Sequence, residues 1–469
     1  MNDTVDLLID NAVVLTLDDQ RRLIWDGAIA ISGKEIVDVG SSADLKDKYQ
    51  PVATINSRNK LAMPGLINSH SHISGALSRG MINDVAFAPW LDKKRYISSQ
   101  ALDEESYYVS TMLICLEMLK SGTTCFVDCG TFAGLEGVAA RAIAEIGIKA
   151  VLASSHGREE TPVEEELARG EAFIARYNGS ADGRIQAWLY LLRVSAVPDE
   201  LCRQAAQLAK KKAVGILIHA SVTADDVERC VEMYGVTPIE RMNSLGCLRP
   251  NFLAAHMGWI TEREMHLLKE TGSSITHCPS ASMKCAYGSL SMGKFPELIA
   301  MGVNVGLGSD GPSASSFQDM VRVMHLAAVG HKEARLDPRV ITPEEAVAMA
   351  TVNNARALLW EDRIGSLEVG KRADIVLFDL MRPEWVPWNE KNIVSNLVYS
   401  ASGSSVDTVI IDGKVVVEDG VVTTVDEREV LEKAQRASRK VHEVADRWEG
   451  SRPGAAVAQR PRAEAARKT

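Results

Sequence analysis

Short apolar segments alternate with helical patterns through residues 61–360, and this alternation constrains the fold more than any other feature. Each apolar segment has the length and composition of a buried strand, and helical periodicity, as in residues 103–120 and 343–359, separates or follows the strands. The clearest apolar segments are residues 124–128, 149–153, 215–219, 253–256 and 303–310. Strand–helix units repeated over this length predict an α/β fold, a (β/α)8 barrel of the TIM type.

The two ends of the chain have a different pattern, rich in strands and turns. Residues 7–17 and 28–40 read as strands, with a hairpin turn at Gly33, and similar segments return at 373–379 and 406–417. We therefore expect one small β-sandwich domain assembled from both chain ends. The predicted organisation is an N-terminal sandwich segment in residues 1–60, the barrel in 61–362, a C-terminal sandwich segment in 363–425, a C-terminal helix in 426–448 and a disordered tail in 449–469.

Composition and charge narrow the class of protein. Of the 469 residues, 46% are apolar and 24% are charged, which is typical of a globular protein, and the net charge of -10 argues against a nucleic-acid partner. The eight cysteines are scattered and match no disulfide or zinc-finger spacing. The first residues are polar and acidic, unlike a signal peptide, and no segment is apolar enough to span a membrane. These features predict a cytoplasmic protein in a reducing environment.

Residues 64–72, Pro-Gly-Leu-Ile-Asn-Ser-His-Ser-His, end a strand with two histidines. On an extended strand, residues i and i+2 point to the same face, so the imidazoles of His70 and His72 can converge on one point. Two neutral imidazoles are half of a divalent metal site. Paired surface or core histidines are the commoner cause of this motif, so other strands must supply the remaining ligands.

Further ligand-type residues stand at the ends of later strands, namely His219, His256 and Asp310. Catalytic groups in a (β/α)8 barrel come from the carboxyl ends of its strands. Three histidines and one carboxylate suit Zn²⁺ or a similar ion and leave a position for water, which as metal-bound hydroxide is a nucleophile near neutral pH. Asp310 would serve as both ligand and base, and His256 would hydrogen-bond the attacking water or polarise the substrate.

Each of these residues also has an ordinary explanation. A strand-end histidine often bonds a backbone carbonyl, and Asp310, in the Gly-Ser-Asp-Gly segment 308–311, can cap the next helix. It is improbable that chance alone placed a ligand-type residue at the end of each of these strands. The combination therefore favours a hydrolytic metal centre.

A wider set of segments carries a family pattern, namely residues 64–72, 77–91, 117–124, 277–279, 306–310 and 365–374. Together they resemble the amidohydrolase superfamily, in its cytosine deaminase-like and s-triazine hydrolase branch, over nearly the whole chain to about residue 425. The resemblance implies hydrolysis of a non-peptide carbon–nitrogen bond or a related leaving group. It also implies one divalent metal ion per chain (zinc, with iron or cobalt as alternatives) and a homodimer or higher oligomer. By resemblance the metal ligands are His70, His72, His219 and Asp310, and His256 is the second histidine that handles water.

Two positions depart from the deaminases of this branch. Those enzymes usually have Glu three residues after the third histidine, where it moves a proton to the ring nitrogen, but this chain has Val222. Valine cannot transfer a proton, and Asp225 and Asp226, slightly further on, are typical of a solvated helix start. Where many relatives have a histidine, this chain has Arg193, which would contact a substrate oxygen or form a structural salt bridge. Deamination of a purine- or cytosine-type ring is therefore not expected.

The first hypothesis for function is hydrolysis at an amide, urea or carbamate carbon of a small, rather apolar substrate. Attack there builds charge on an oxygen that the metal and His256 can hold, so ring protonation is not required. Such an enzyme would be similar to phenylurea and thiocarbamate herbicide hydrolases. The alternatives are an aminohydrolase or chlorohydrolase of an s-triazine, pterin or purine-like ring, and a non-catalytic metal-binding scaffold. Further pocket candidates, each explained as well by core packing or a structural bond, are Trp90, Val222, Arg193, His277 and His156.

Overall fold

The chain begins with strands that belong to a mainly β domain. The computed structural model describes residues 3–157 and 161–450. The first elements are β1 Asp3–Leu15, β2 Leu23–Ser32, β3 Glu35–Ser41, α1 Ser42–Lys48, β4 Tyr49–Asn56 and β5 Lys60–Pro64. Strands β2 and β3 pair antiparallel across the predicted turn at Gly33, whose φ of 58° is accessible to glycine without steric cost. The hairpin predicted there is confirmed.

Eight parallel strands then form the barrel, and β13 returns to β6 to close it. The strands are β6 Leu66–Ser71, β7 Thr123–Thr131, β8 Lys149–His156, β9 Ile185–Leu191, β10 Ile216–Ala220, β11 Phe252–His256, β12 Ser274–His277 and β13 Val305–Leu307. The backbone N–H of Asp310 donates to the carbonyl of His70 over 2.9 Å, and the Ser69 hydroxyl donates to the carbonyl of Leu307 over 2.9 Å. Every residue of β6 and β11 is buried, as expected for parallel strands covered by helices. The predicted (β/α)8 barrel is confirmed.

Helices connect and cover the barrel strands. They are α2 Phe87–Ala101, α3 Glu104–Lys120, α4 Glu136–Ile146, α5 Val163–Tyr177, α6 Ser180–Gly183, α7 Asp199–Lys212, α8 Ala224–Tyr234, α9 Pro238–Ser244, α10 Glu262–Thr271, α11 Pro279–Cys285, α12 Phe295–Ala300, α13 Pro312–Ser315, α14 Met320–Arg335, α15 Pro343–Met349 and α16 Val352–Ala357, with 3-10 turns at Ile73–Ser78 and Gly403–Ser405.

The single helix predicted over residues 343–359 is wrong, because α15 ends at Met349 and α16 begins at Val352. Thr351 lies between them with φ −135° and ψ −96°, which is not helical. The break lets the Asn354 amide donate to the carbonyls of Ile67, at 2.6 Å, and Leu307, at 2.8 Å. These bonds satisfy backbone groups of β6 and β13 where the barrel closes, a tertiary requirement that periodicity does not reveal.

The chain then returns to the first domain. The last elements are β14 Ile375–Asp379, α17 Ile393–Tyr399, β15 Val406–Ile411, β16 Lys414–Glu418, β17 Val421–Val422 and α18 Glu427–Gly450. Strand β14 pairs antiparallel with β5, which joins both chain ends in one nine-stranded sheet. A buried ion pair fixes this domain to the barrel, since Lys149 of β8 contacts Asp374 and lies 2.6 Å from Asp412. A mainly β domain built from both ends is confirmed.

The C-terminal helix extends slightly further than predicted. Glu449 and Gly450, expected to begin the tail, belong to α18, where the Glu449 carboxylate pairs with Lys93 at 2.5 Å. The remainder of the predicted tail, residues 451–469, lies outside the described residues. Within residues 3–157 and 161–450, no helix has the length and hydropathy needed to cross a membrane.

Candidate metal centre

The structure brings the four predicted metal ligands together at the carboxyl end of the barrel. His70 lies in β6, His72 follows that strand, His219 lies in β10 and Asp310 follows β13. The Oδ1 atom of Asp310 is 3.5 Å from Nε2 of His72 and 3.8 Å from Nε2 of His70. The His219 ring centroid is 4.8 Å from that of His70 and 5.4 Å from that of His72. Two non-adjacent sectors of the barrel therefore supply one cluster.

Close packing of backbone against backbone holds Asp310 in this cluster. Asp310 has a φ of 63°, and the N–H of Gly311 donates to its Oδ1 over 2.6 Å. Gly308 passes so close to β6 that a Cβ on it would lie 2.6 Å from Cβ of His70. Only glycine fits there, so the Gly-Ser-Asp-Gly segment is shaped by the approach of two strands and not by a plain turn.

The donor set fits a divalent cation. Both ring nitrogens of His70 are buried without a hydrogen-bond partner in the portion of the chain that the structure describes. Burial is the main cause that lowers the pKa of His70, His72 and His219 well below the usual range, so these rings are neutral and keep a lone pair. A buried ring nitrogen without a hydrogen-bond partner lowers the stability of the fold unless it binds a metal ion. Three neutral imidazoles and a carboxylate are a typical ligand set for zinc.

Tyr190 orients His219 from outside the cluster. The Tyr190 oxygen is 2.7 Å from Nδ1 of His219 and 3.0 Å from the carbonyl of Leu192. Because the hydroxyl has one proton, donating it to Leu192 makes the oxygen the acceptor of an Nδ1–H of His219. That tautomer leaves the Nε2 lone pair for the ion, the arrangement found around metal-binding histidines. Sequence analysis missed this role, although Tyr190 ends an apolar strand beside β10.

Cys129 also lies beside the cluster. Its Sγ atom is 3.8 Å from Nδ1 of His219, and potential ligand atoms of His70, Cys129 and His219 lie within 4.8 Å of one another. Burial is the main cause that raises the pKa of the Cys129 thiol well above its usual range, which opposes the thiolate form. The backbone of Cys129 acts to raise the pKa of His72, against the larger opposite effect of burial.

His256 lies next to the ligands at the end of β11. Its ring centroid is 5.0 Å from that of His70 and 5.1 Å from that of His219. The hydroxyl of Tyr287 is 3.1 Å from Nδ1 of His256. Burial lowers the pKa of His256, against the opposite effect of Asp310, so a neutral ring is favoured. Its position suits hydrogen bonding to a substrate oxygen.

Val222 stands in an apolar wall. It is 6% exposed and belongs to a cluster of buried side chains that includes Trp90, Tyr287 and Ala314. The Trp90 indole N–H donates to the carbonyl of Ser313, over 3.3 Å, in the segment that follows Asp310. The pocket candidates Trp90 and Val222 therefore belong to one buried apolar cluster, and Trp90 bonds the segment that follows Asp310.

No carboxylate near Val222 takes the place of the missing Glu among the described residues. Asp225 is exposed, and Asp226 is held at the start of α8, where its Oδ2 accepts the N–H of Val222 over 3.3 Å. Asp128 is buried in β7, but its oxygens accept the Ile73 N–H, over 3.0 Å, and the Thr131 hydroxyl, over 2.7 Å. Within residues 3–157 and 161–450, Asp310 is the only carboxylate in the ligand cluster.

The other predicted pocket residues are engaged differently. His156 is buried between the Ser154 hydroxyl, at 2.7 Å, and the Glu166 carboxylate, at 3.0 Å. His277 bonds His331 through the two Nε2 atoms, 3.1 Å apart. Arg193 follows β9, is partly buried, and its side chain makes no hydrogen bond or ion pair with the described residues. The placement of His156 and His277 in side-chain networks favours structural roles, and a role in substrate binding stays a prediction for all three.

Sequence analysis also missed Lys94 of α2. Its Nζ atom lies 5.2 Å from the centroid of the Trp90 ring. Burial lowers the pKa of Lys94, whereas the nearby charge of Asp310 raises it. The sequence contains one signal for this position. Lys94 lies one helical turn after the pocket candidate Trp90 on α2, so the two side chains share a face of the helix.

A (β/α)8 barrel with this cluster at the carboxyl ends of its strands defines a metal-dependent hydrolase. The model of the amidohydrolase family matches residues 61–416, and the chain belongs to this family. The chain is similar to the 5-methylthioadenosine/S-adenosylhomocysteine deaminase of Pelotomaculum thermopropionicum, with 35% identity over 93% of this chain and 98% of that protein.

Solved structures show the same architecture. A zinc-bound adenosine deaminase from Xanthomonas campestris superposes with a TM-score of 0.89 and 28% identity, over 94% of this chain and 100% of that chain. A zinc complex of atrazine chlorohydrolase from Arthrobacter aurescens has a TM-score of 0.84 and 24% identity, over 92% and 100%, which shows a shared fold. The sequence relative is named a deaminase, not a phenylurea or thiocarbamate hydrolase, so the expected likeness to those enzymes is not supported by it.

Proposed function

We propose that this enzyme hydrolyses an amide, urea or carbamate bond in a small substrate whose reacting carbon packs against an apolar wall. The observation that carries this proposal is the buried Val222, at the position where a purine deaminase needs a carboxylate. The nearby Asp226 and Asp128 are held by backbone and hydroxyl donors and are poorly placed to protonate a ring nitrogen. Hydrolysis of a carbonyl-type carbon does not require that step.

We propose that His70, His72, His219 and Asp310 hold a zinc ion, with iron or cobalt as alternatives. The neutral imidazoles and the partnerless nitrogens of His70 support a first-row divalent ion, and zinc is present in the related structures. When bound, the ion supplies the Lewis acid that activates water. A homo-oligomer and a cytoplasmic location stay predictions.

Asp310 and His256 would carry the proton and the developing charge. Asp310 accepts the proton of the attacking water and passes it to the leaving nitrogen, so one carboxylate serves both steps. With Tyr287 donating to its Nδ1, His256 keeps its proton on Nε2 and donates it in a hydrogen bond to the substrate oxygen as negative charge develops. This division of roles uses no group at position 222.

A second candidate, deamination of an adenosine-type substrate, is favoured by the names of the relatives. It would require another route for protonating the ring, which Val222 does not offer. Hydrolysis of a triazine or pterin ring meets the same difficulty. A non-catalytic scaffold is disfavoured because the chain belongs to a hydrolase family and retains the complete donor set.

The test is a substrate panel with the zinc-loaded enzyme. Anilides, phenylureas and phenylcarbamates are compared with adenosine, 5'-methylthioadenosine and aminotriazines, and mass spectrometry in ¹⁸O-water identifies the carbon that is attacked. We expect turnover of a carbonyl class with ¹⁸O in the released acid or carbon dioxide. A strict preference for amino-heterocycles, with ¹⁸O on the ring carbon, would overturn the proposal in favour of the second candidate.

A further inference from the structure

Helix α2 lies across the metal end of the barrel and touches it at two points. On one side, Trp90 donates to the Ser313 carbonyl beside the Asp310 segment. On the other, the Phe87 ring is 5.6 Å from the ring of Tyr287, which bonds His256. The first turn of the helix therefore lies against the site, and Lys94 follows one turn after Trp90.

Three cations follow Trp90 on this helix, and two of them are Lys94 and Arg95. Lys94 is partly buried with its ammonium 5.2 Å from the centroid of the Trp90 ring, whereas Arg95 is exposed. Burial is the largest cause that lowers the pKa of four site histidines, and the charge of Lys94 also lowers it. These histidines are His70, His72, His219 and His256. Burial raises the pKa of Tyr190, and the charge of Arg95 opposes this rise. Both cations lie on the helix whose Phe87 and Trp90 contact residues at the metal end of the barrel.

Neither cation has an acidic partner among the described residues. In the ranges 3–157 and 161–450, the side chains of Lys94 and Arg95 make no hydrogen bond or ion pair, although the chain carries a net charge of -10. The preceding residue, Lys93, does pair, with Glu449 at 2.5 Å and the Met81 carbonyl at 3.2 Å. A partly buried ammonium without an ion pair or hydrogen bond is unfavourable, so this arrangement suits a ligand that brings a negative charge into contact with it.

We propose that Lys94 and Arg95 form an anion-binding subsite for a carboxylate on the substrate. This inference rests on the proposed function and narrows it to carboxylate-bearing amides, ureas or carbamates, such as N-acyl or N-carbamoyl amino acids. The planar guanidinium of Arg95 matches a carboxylate, and the Lys94 ammonium adds a second charge beside the Trp90 ring. The apolar wall around Val222 would then contact the region of the substrate near the reacting carbon.

The test measures binding without turnover. Benzohydroxamate, 3- and 4-carboxybenzohydroxamate and the methyl esters of the two acids are titrated into the zinc-loaded enzyme by calorimetry. Each ligand has the same metal-binding group, so each acid differs from its ester chiefly in negative charge. We expect at least one acid to bind about tenfold or more tightly than its ester, the size expected for hydrogen bonds to a charged group.

Variants test which side chains cause the preference for the acid over its methyl ester. Lys94→Met and Arg95→Leu should each remove most of it, and Lys94→Arg should retain it. Lys93→Gln is the matched control, because it removes a positive charge from the same helix at a residue that already has a partner. If Lys94→Met does not fold, Arg95→Leu still tests the subsite, since Arg95 is exposed.

Two results would overturn the subsite. One is equal affinity for the acids and their esters, and the other is an equal loss of preference in Lys93→Gln, which would indicate only a general positive field. If no hydroxamate binds, the metal centre and the proposed function fail, and the subsite is judged with 3-phenylpropionate and 3-phenylpropionamide. A preference for 3-phenylpropionate that Lys94→Met removes would support the subsite alone, and equal binding or no binding of the two would overturn it.

Discussion

Removing the Tyr190 hydroxyl should weaken metal binding although Tyr190 is not a ligand. In Tyr190→Phe the Nδ1 atom of His219 loses its acceptor at 2.7 Å, and the nearest alternative among the described residues is Sγ of Cys129 at 3.8 Å, a weak acceptor. The imidazole can then place its proton on either nitrogen, and the tautomer with Nε2–H cannot bind the ion.

The structure sets the size of this effect. Loss of such an outer bond typically lowers metal affinity 10–100-fold, or about 1.4–2.7 kcal/mol. Because Tyr190 is buried, water cannot readily replace the hydroxyl, and we expect the upper half of that range. The zinc dissociation constant is measured near neutral pH by competition with a chromophoric chelator.

A matched deletion separates ligand orientation from general damage. Tyr287→Phe removes the equivalent bond from His256, which is not a ligand, so zinc affinity should change less than about twofold. The kcat of Tyr287→Phe should fall instead, because His256 would lose the hydrogen-bond donor that fixes the tautomer of its ring. Unchanged zinc affinity in Tyr190→Phe, or an equal loss in both variants, would refute the reasoning.

Three further outcomes are expected. Asp310→Asn should lower kcat at saturating zinc by about 100-fold or more, since the amide cannot accept the water proton, and steady-state rates check this. Lys149→Met should lower the free energy of unfolding by about 3–5 kcal/mol in urea, because Asp374 and Asp412 lose their buried partner. Burial, with the charge of Arg335, lowers the pKa of His331 to about 4, so the unfolded chain binds this proton below pH 6.5 and the folded chain does not. Stability should therefore fall as the pH drops from 6.5 to 4, and His331→Leu should reduce that loss by up to about 3 kcal/mol.

The sequence predicts the elements of this molecule that repeat along the chain. Strand periodicity and ligand-type residues at strand ends predict the barrel and the meeting of His70, His219 and Asp310, since parallel strands present their carboxyl ends at one face. The departure at Val222 is also visible in the sequence alone. These features depend on local pattern and on a general property of the fold.

The remaining features depend on contacts between distant segments. Tyr190 and Tyr287 acquire their roles only when neighbouring strands and loops bring them to His219 and His256. Lys94 lies on a helix whose position depends on contacts with distant residues, among them the bond of Trp90 to Ser313 and the ring contact of Phe87 with Tyr287. The break at Thr351 follows from the bonds that Asn354 makes to two strands, and no propensity in residues 343–359 indicates it.

The bond between Asp310 and His70 joins the first and the last strand of the barrel, and this has a consequence for folding. The proposed metal ion between those strands would act as a cross-link that closes almost the whole barrel into one loop. In the chain-entropy view, a cross-link removes more disorder from the unfolded chain as the loop becomes longer. The proposed metal position is thus also the position where the barrel closes, so replacing one of the proposed ligands should change folding and chemistry together.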